Sequence, residues 1–488
     1  MADTKTQLAP DPTPTRRELT GTHLVHYGPA WDAALESSRG TSADPVAVLV
    51  CHGMGQQVRY ETISQVAEAI STEAVAQGGT VSPVEVHLSE CDGTFLSRAE
   101  LQWADASHVP HAVHVYEAYW APLTEGRVTY WDTIKFLFGA AANGLWYSRP
   151  FGPRRFQRWI FGGPKPMSIE RATFPALLCV LAFVLLQVAI IGFVLLDLTA
   201  QYKVVIAQPL PVLHARDLWH LGHVILHDWL RWLGPFFPGH AILLNSPWFT
   251  RAWWWALGKL LVWFAAIAEA LVARYFIIEY VGDVAAYISP YKDSKFDEIR
   301  QKIQSVGLTV GKVIYGFGTP LATVPRYGKI VVAGHSLGSV LAYDTLNALI
   351  NQDNVSAPAD QRGVISRTRA LVTFGSPLDK TAFIFRMQAR NAQDWIREQL
   401  AASAQPLVVS YPQYRPMLPA PGFEWVNIWS TMDIISGELN YYDDPALPPN
   451  RQPCVQNMPD PRANIPIYAH VQYWNNRLLG QQLYRFVS

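Results

Sequence analysis

The chain has 488 residues, with 39 basic and 39 acidic side chains and a formal net charge of zero, so no global field draws it to nucleic acid. Hydrophobic residues make up 50% and charged residues only 16%, where a soluble domain carries roughly 25%, and this shortage of charge points towards a membrane. The length exceeds one ordinary core and implies one large domain with an insertion, or two to three domains.

The four cysteines, Cys51, Cys91, Cys179 and Cys454, are far apart and form no C-x-x-C pair. They read as unpaired thiols of a reducing compartment, not as a disulfide frame or a zinc site. Residues 1–40 begin "MADTKTQLAPDPTPTRRELTG", a polar, Pro- and Thr-rich stretch that predicts a disordered tail. It lacks the apolar core of a signal peptide.

Residues 41–124 alternate strand and helix. "DPVAVLVCHGMGQQ" holds a buried-strand signal, Val46 to Cys51, that runs into a glycine loop. "YETISQVAEAISTEAVAQ" has helical spacing at Ile63, Val66, Ile70 and Val75. "VEVHL" and "HAVHVYEAYWAPL" read as further strands. This alternation predicts a parallel sheet.

Residues 125–290 break the pattern and predict a helical insertion. "FPALLCVLAFVLLQVAIIGFVLL", about 174–196, carries no charge over 23 residues. At about 1.5 Å per residue it reaches about 35 Å, enough for a hydrocarbon core of roughly 30 Å. A second candidate span, about 253–278, is interrupted by Lys259, Glu269 and Arg274. A charge at mid-bilayer costs roughly 2.5–3.5 kcal/mol on insertion scales. The strands on either side of the insertion belong to one sheet on one side of the membrane, so the number of crossings is even. A two-span hairpin is expected, or a hairpin that dips in without crossing. Arg149, Arg154, Arg155, Arg158, Lys165 and Arg171, against Glu170 alone, precede the first span and put the sheet on the cytoplasmic side. Between the spans His220, His223 and His227 lie at helical spacing, either as a metal site or as part of an interfacial amphipathic helix rich in Trp and His.

Residues 291–488 resume the alternation. "FDEIRQKIQSVGLTVGKVI" is an amphipathic helix, "KIVVAG" a strand, "SVLAYDTLNALI" a helix, and "ALVTFGSP" and "FEWVNIW" two more strands. The stretch from about 404 to 422 is Pro-rich and reads as a loop.

Gly334-His335-Ser336-Leu337-Gly338 fits G-x-S-x-G between a predicted strand and a predicted helix, the pattern of a nucleophile elbow. The serine sits on a sharp turn, and the residues two before and two after it are pressed together, so both must be small. A serine hydroxyl needs a base to take its proton. His470 is the only histidine downstream of Ser336, and the usual chain order of Ser, then acid, then His makes it the base. Two aspartates follow late strands, Asp433 after "FEWVNIWSTM" and Asp379 after "ALVTFGSPL". Asp433 fits the usual place for the acid and Asp379 a minority arrangement. An oxyanion would need two backbone donors: the N–H of Leu337, just after the serine, and the N–H of Met54 in the His52-Gly53-Met54-Gly55 loop. Gly53 and Gly55 let the backbone approach a substrate. His52 reads as structural and not as a base.

The blocks "VVAGHSLGSVLAYDTL", "VTFGSPLD", "WVNIWSTMDIISGEL" and "HVQYW" are similar in order and wording to α/β-hydrolase lipases. The chain most resembles the DDHD-domain phospholipases, with Gln472 standing where that family tends to have Asp. The resemblance implies an α/β-hydrolase fold, a mostly parallel sheet with helices on both faces, interrupted here by the helical transmembrane insertion. It implies Ser336, Asp433 and His470 as nucleophile, acid and base. The expectation is a membrane-anchored, multi-pass serine hydrolase cleaving carboxylic esters, above all those of lipids. Its catalytic domain would face the cytoplasm, and its partners would be an ester substrate and the bilayer. No metal or organic cofactor and no nucleic acid enter the scheme. Acyl transfer or thioester hydrolysis by the same triad, or a non-catalytic membrane scaffold with this fold, are the competing readings.

Overall fold

Six consecutive apolar residues, VAVLVC, make strand β3 (Val46–Cys51), and all six are buried. A strand can be apolar at every position only when both faces of its sheet are covered. Here Ala47, Leu49 and Cys51 join one core cluster, and Val46, Val48 and Val50 join the other.

The computed structural model of the protein describes residues 17–19, 23–25, 45–54, 58–82, 84–91, 94–124, 127, 294–317, 327–381, 422–433, 435–439, 455–466 and 468–488, with isolated positions between 192 and 287. The chain divides into two compact units, one formed by Met1–Leu177 with Ile277–Ser488 and one by Leu178–Phe276. The sheet belongs to the first unit.

In chain order the strands are β1 (Arg17–Leu19), β2 (His23–Val25), β3, β4 (Thr80–Val81), β5 (Val84–Cys91), β6 (Thr94–Ala104), β7 (Pro110–Ala118), β8 (Lys329–His335), β9 (Thr368–Phe374), β10 (Glu424–Trp429) and β11 (Val455–Pro459). The helices are α1 (Glu61–Ala76), α2 (Ser294–Tyr315), α3 (Leu337–Val355), α4 (Val364–Arg367), α5 (Ala469–Gln472) and α6 (Arg477–Val487). The sheet has 11 strands in the order β1-β2-β5-β6-β7-β3-β8-β9-β10-β11, with β4 paired to β6. From β7 to β11 every neighbour is parallel. Strand β6 runs antiparallel to both of its neighbours, β5 and β7.

This is an α/β fold with a mixed, mostly parallel sheet. The expected parallel start of the chain is corrected by β6, an eleven-residue strand that lies between β5 and β7 and pairs antiparallel with each. One face of β6 carries Ala99, Leu101 and Trp103 into the core. The other carries buried Arg98 and Glu100, which bond to each other at 2.7 Å, so the sequence there looks like a charged surface segment. Strands β1 and β2 fall within residues 1–40, the stretch expected as a tail; they pair with each other and extend the sheet edge beside β5.

Helices α1 and α6 cover one face of the sheet, through Ile63, Val66 and Ile70 and through Leu479, Leu483 and Phe486. Helices α2 and α3 cover the other, through Ile299, Ile303 and Val310 and through Val340, Leu341 and Leu346. Among the described residues no helix is long and apolar enough to cross a membrane. The candidate spans at 174–196 and 253–278 lie outside the described residues apart from isolated positions, and so do His220, His223 and His227.

Candidate active site

Strand β8 ends at His335 and helix α3 begins at Leu337, so Ser336 alone makes the corner. Its backbone lies at φ 52° and ψ −130°. A side chain at positive φ costs on the order of 1–3 kcal/mol and persists only where its surroundings hold it. Here the Ser336 N–H donates to the Phe374 carbonyl at 3.0 Å, tying the corner to neighbouring β9.

The structure brings Ser336, His470 and Asp433 together. Ser336 Oγ and His470 Nε2 are 2.8 Å apart. His470 Nδ1 and Asp433 Oδ2 are 2.9 Å apart. A carboxylate only accepts, so the proton sits on Nδ1, leaving the Nε2 lone pair to accept from the Ser336 hydroxyl. Ser336 and Asp433 are each 1% exposed, and His470 9%. Such burial keeps water from competing for these bonds. Asp433 follows β10, and His470 is the second residue of the short helix after β11. Of the two candidate acids, Asp433 meets the imidazole. Asp379 lies buried beyond the end of β9, where its charge acts on neighbouring Lys380.

Further groups hold Asp433, and sequence reasoning did not single them out. The Tyr473 hydroxyl donates to Asp433 Oδ2 at 3.0 Å, and the Ile435 N–H donates to Oδ1 at 2.9 Å. Burial alone would raise the Asp433 carboxyl, but the electrostatic pull of the His470 ring and the hydrogen bonds from His470, Ile435 and Ser436 hold it below the usual carboxylate range. Burial pushes the Tyr473 phenol up, so it remains a donor. Lys380 Nζ donates to the carbonyls of Ile435 and Ser436 at 2.8 and 2.9 Å and fastens the loop that carries Asp433. His335 Nε2 donates to the His470 carbonyl at 2.8 Å; burial lowers its pKa to about 3, so the ring is neutral. The signal for Tyr473 was its place three residues after His470, one helical turn on. Gln472 accepts the Ile465 N–H at 3.1 Å and closes the loop leading into His470.

The two segments expected to supply oxyanion donors lie beside the serine. Leu337 is the first residue of α3, and the first N–H groups of a helix have no partner within it. A Cβ on Gly53 would lie 3.0 Å from Ser336 Cβ, so the His52–Met54 loop runs directly against the nucleophile. Met54 is buried, and Gly55 lies outside the described residues. Among the described residues no group of three or more His, Cys, Asp or Glu is placed to hold a metal ion. Cys51, buried at the end of β3, is a free thiol.

This arrangement can transfer a proton from Ser336 to His470 while Asp433 orients the imidazole and balances its charge. Comparison with known proteins found no matching family model, no matching curated protein and no matching solved structure.

Proposed function

We propose that the protein is a membrane-anchored serine hydrolase of the α/β-hydrolase type that cleaves carboxylic esters, chiefly those of lipids. The observation that carries this reading is the pair of contacts at 2.8 and 2.9 Å joining Ser336 to His470 and His470 to Asp433. The strand order supports it as well: nucleophile after β8, acid after β10 and base after β11, all at the carboxyl edge of parallel strands.

Ser336 Oγ attacks the ester carbonyl carbon and gives its proton to His470 Nε2. The carbonyl oxygen becomes an oxyanion that accepts from the N–H groups of Met54 and Leu337. The C–O bond to the alcohol breaks, and the alcohol leaves with the proton from His470. Water, deprotonated by the same nitrogen, then releases the acid from the acyl-serine. The preference for lipids rests on the uncharged stretch at 174–196, which would tether the site beside the bilayer where acyl esters are concentrated.

The test is fluorophosphonate labelling of the full-length protein in membranes. Wild type takes the label, and Ser336→Ala and His470→Ala do not. Strong labelling of Ser336→Ala would remove the mechanism. Lipid profiling with the same variants identifies the ester.

A further inference from the structure

His52 stands at the end of β3, one residue before the loop that touches Ser336, and the steps above give it no role. It is fully buried. The β3–β7 register pairs Cys51 with Ala118 and so brings His52 beside Trp120. The two rings stack, with centroids 4.9 Å apart and planes 11° from parallel. The Trp120 backbone N–H donates to His52 Nε2 at 2.9 Å, and the Trp120 indole N–H donates to the His52 carbonyl at 3.2 Å. A nitrogen that accepts carries no proton, so in the neutral ring the proton is on Nδ1. Nδ1 lies 2.8 Å from the Gly53 carbonyl oxygen and donates to it.

That bond fixes the plane of one peptide. A peptide unit is planar and trans, so the Met54 N–H points opposite to the Gly53 carbonyl. A glycine carbonyl pulled onto the His52 ring therefore sets the direction of the Met54 N–H. Gly53 has no side chain to hinder rotation of this plane, so the bond to the His52 ring is what resists a flip.

We infer that His52 is a positioning residue for the oxyanion site: held by Trp120 with its proton on Nδ1, it grips the Gly53 carbonyl and keeps the Met54 N–H turned towards the carbonyl oxygen of an ester on Ser336. This rests on the serine-hydrolase reading. It also explains why a buried histidine so near the nucleophile is not a second base: one ring nitrogen is used by Trp120 and the other by Gly53.

Two substitutions separate the roles of the two nitrogens. In His52→Asn the side-chain amide reaches the place of Nδ1 and can donate to Gly53. In His52→Gln it reaches the place of Nε2, meets the Trp120 N–H, and leaves Gly53 unheld. With p-nitrophenyl butyrate and the full-length protein, His52→Gln should lose about 10²-fold in kcat, the scale of a lost oxyanion donor, with KM within about twofold. His52→Asn should recover to within about tenfold of wild type, while the two variants unfold at similar denaturant concentrations. Equal kcat in the two variants, or a loss confined to KM, would overturn the inference while wild-type labelling at Ser336 still stands. Should neither variant fold, histidine 15N NMR of the unmutated protein decides, with His52 assigned through its backbone links to Cys51 and Gly53. A proton on Nδ1 supports the inference, and a proton on Nε2 overturns it. A wild-type protein that takes no fluorophosphonate removes the hydrolase reading and this inference with it.

Discussion

A Cβ on Gly334 would lie 2.5 Å from the carbonyl oxygen of Gly338, because the elbow folds strand β8 and helix α3 back onto each other around Ser336. On the other side, a Cβ on Gly338 would lie 2.2 Å from the carbonyl oxygens of both Cys51 and His52. Both obstacles are backbone, which cannot swing aside as a side chain can. Gly334→Ala and Gly338→Ala should each destabilise the fold by about 3 kcal/mol, the upper end of ordinary overpacking costs, and abolish labelling of Ser336. Denaturant unfolding measures the first effect. Wild-type stability in Gly338→Ala would mean that the helix does not press on β3 as described.

Asp433 bears on kcat through one bond, the one to His470 Nδ1. Asp433→Asn keeps the shape but can present an N–H to the ring and turn the imidazole to the wrong tautomer, a change that costs about 10⁴-fold in kcat in a Ser-His-Asp triad. The expected result is a loss of that order in ester hydrolysis with KM little changed. Asp379→Asn provides the contrast, with kcat within about threefold of wild type. Equal losses in the two variants would return the acid to an open question.

The elbow could be read from the sequence because the glycines at 334 and 338 answer a local steric demand, and G-x-S-x-G records that demand directly. Chain order and the resemblance favour Asp433 over Asp379, but no local steric demand marks the acid: both follow strands, and the three-dimensional edge decides which one faces His470. Strand β6 was missed because Arg98 and Glu100 satisfy each other inside the protein, a pairing that hydrophobic periodicity cannot register. Strand β11, VQNMP, was missed for a related reason: Asn457 is held by Asn427 and by the backbone of Leu439, partners distant in sequence. His52 was visible as a histidine before a glycine loop, but its bond to Gly53 depends on the register that brings in Trp120.

Tyr473 donates to a carboxylate that is already held below the usual range, and its loss has a defined pH signature. A depressed carboxylate contributes stability that is present above its unfolded pKa of about 3.9 and is lost as pH falls through the lower folded value. Tyr473→Phe removes one hydrogen bond to the charged form, so the folded pKa of Asp433 rises towards the unfolded one. At pH 7 the variant should be less stable by about 1.5–3 kcal/mol, the usual worth of a hydrogen bond to a charged group. The gap between the two proteins should narrow as pH falls from 4 towards 2, first through the folded value of the variant and then through the wild-type value of about 2, below which neither keeps the carboxylate charged. Unfolding curves at several pH values check this, and a gap that stays constant from pH 7 to pH 2 would show that the hydroxyl does not act through Asp433.

Lys380 gives the same direction of pH dependence in a higher pH window. Burial lowers its pKa to about 8, against the pull of the Asp433 and Asp379 charges, while in the unfolded chain it titrates near 10.4. Between those values the unfolded chain holds the proton and the folded protein has released it. Stability therefore rises with pH, by up to about 1.4 kcal/mol per unit. Lys380→Met lacks the titrating group, so the stability of wild type relative to the variant should grow between pH 8 and pH 10 and stay level between pH 6 and pH 7. The same substitution removes the donor to the Ile435 and Ser436 carbonyls. The Ile435 N–H that serves Asp433 then loses its anchor, and kcat should fall about tenfold, equivalent to about 1.4 kcal/mol of transition-state stabilisation. Urea titrations at each pH, with kcat measured in parallel, separate the two effects. A stability difference that does not move above pH 8, together with unchanged kcat, would place Lys380 outside the support of the acid loop.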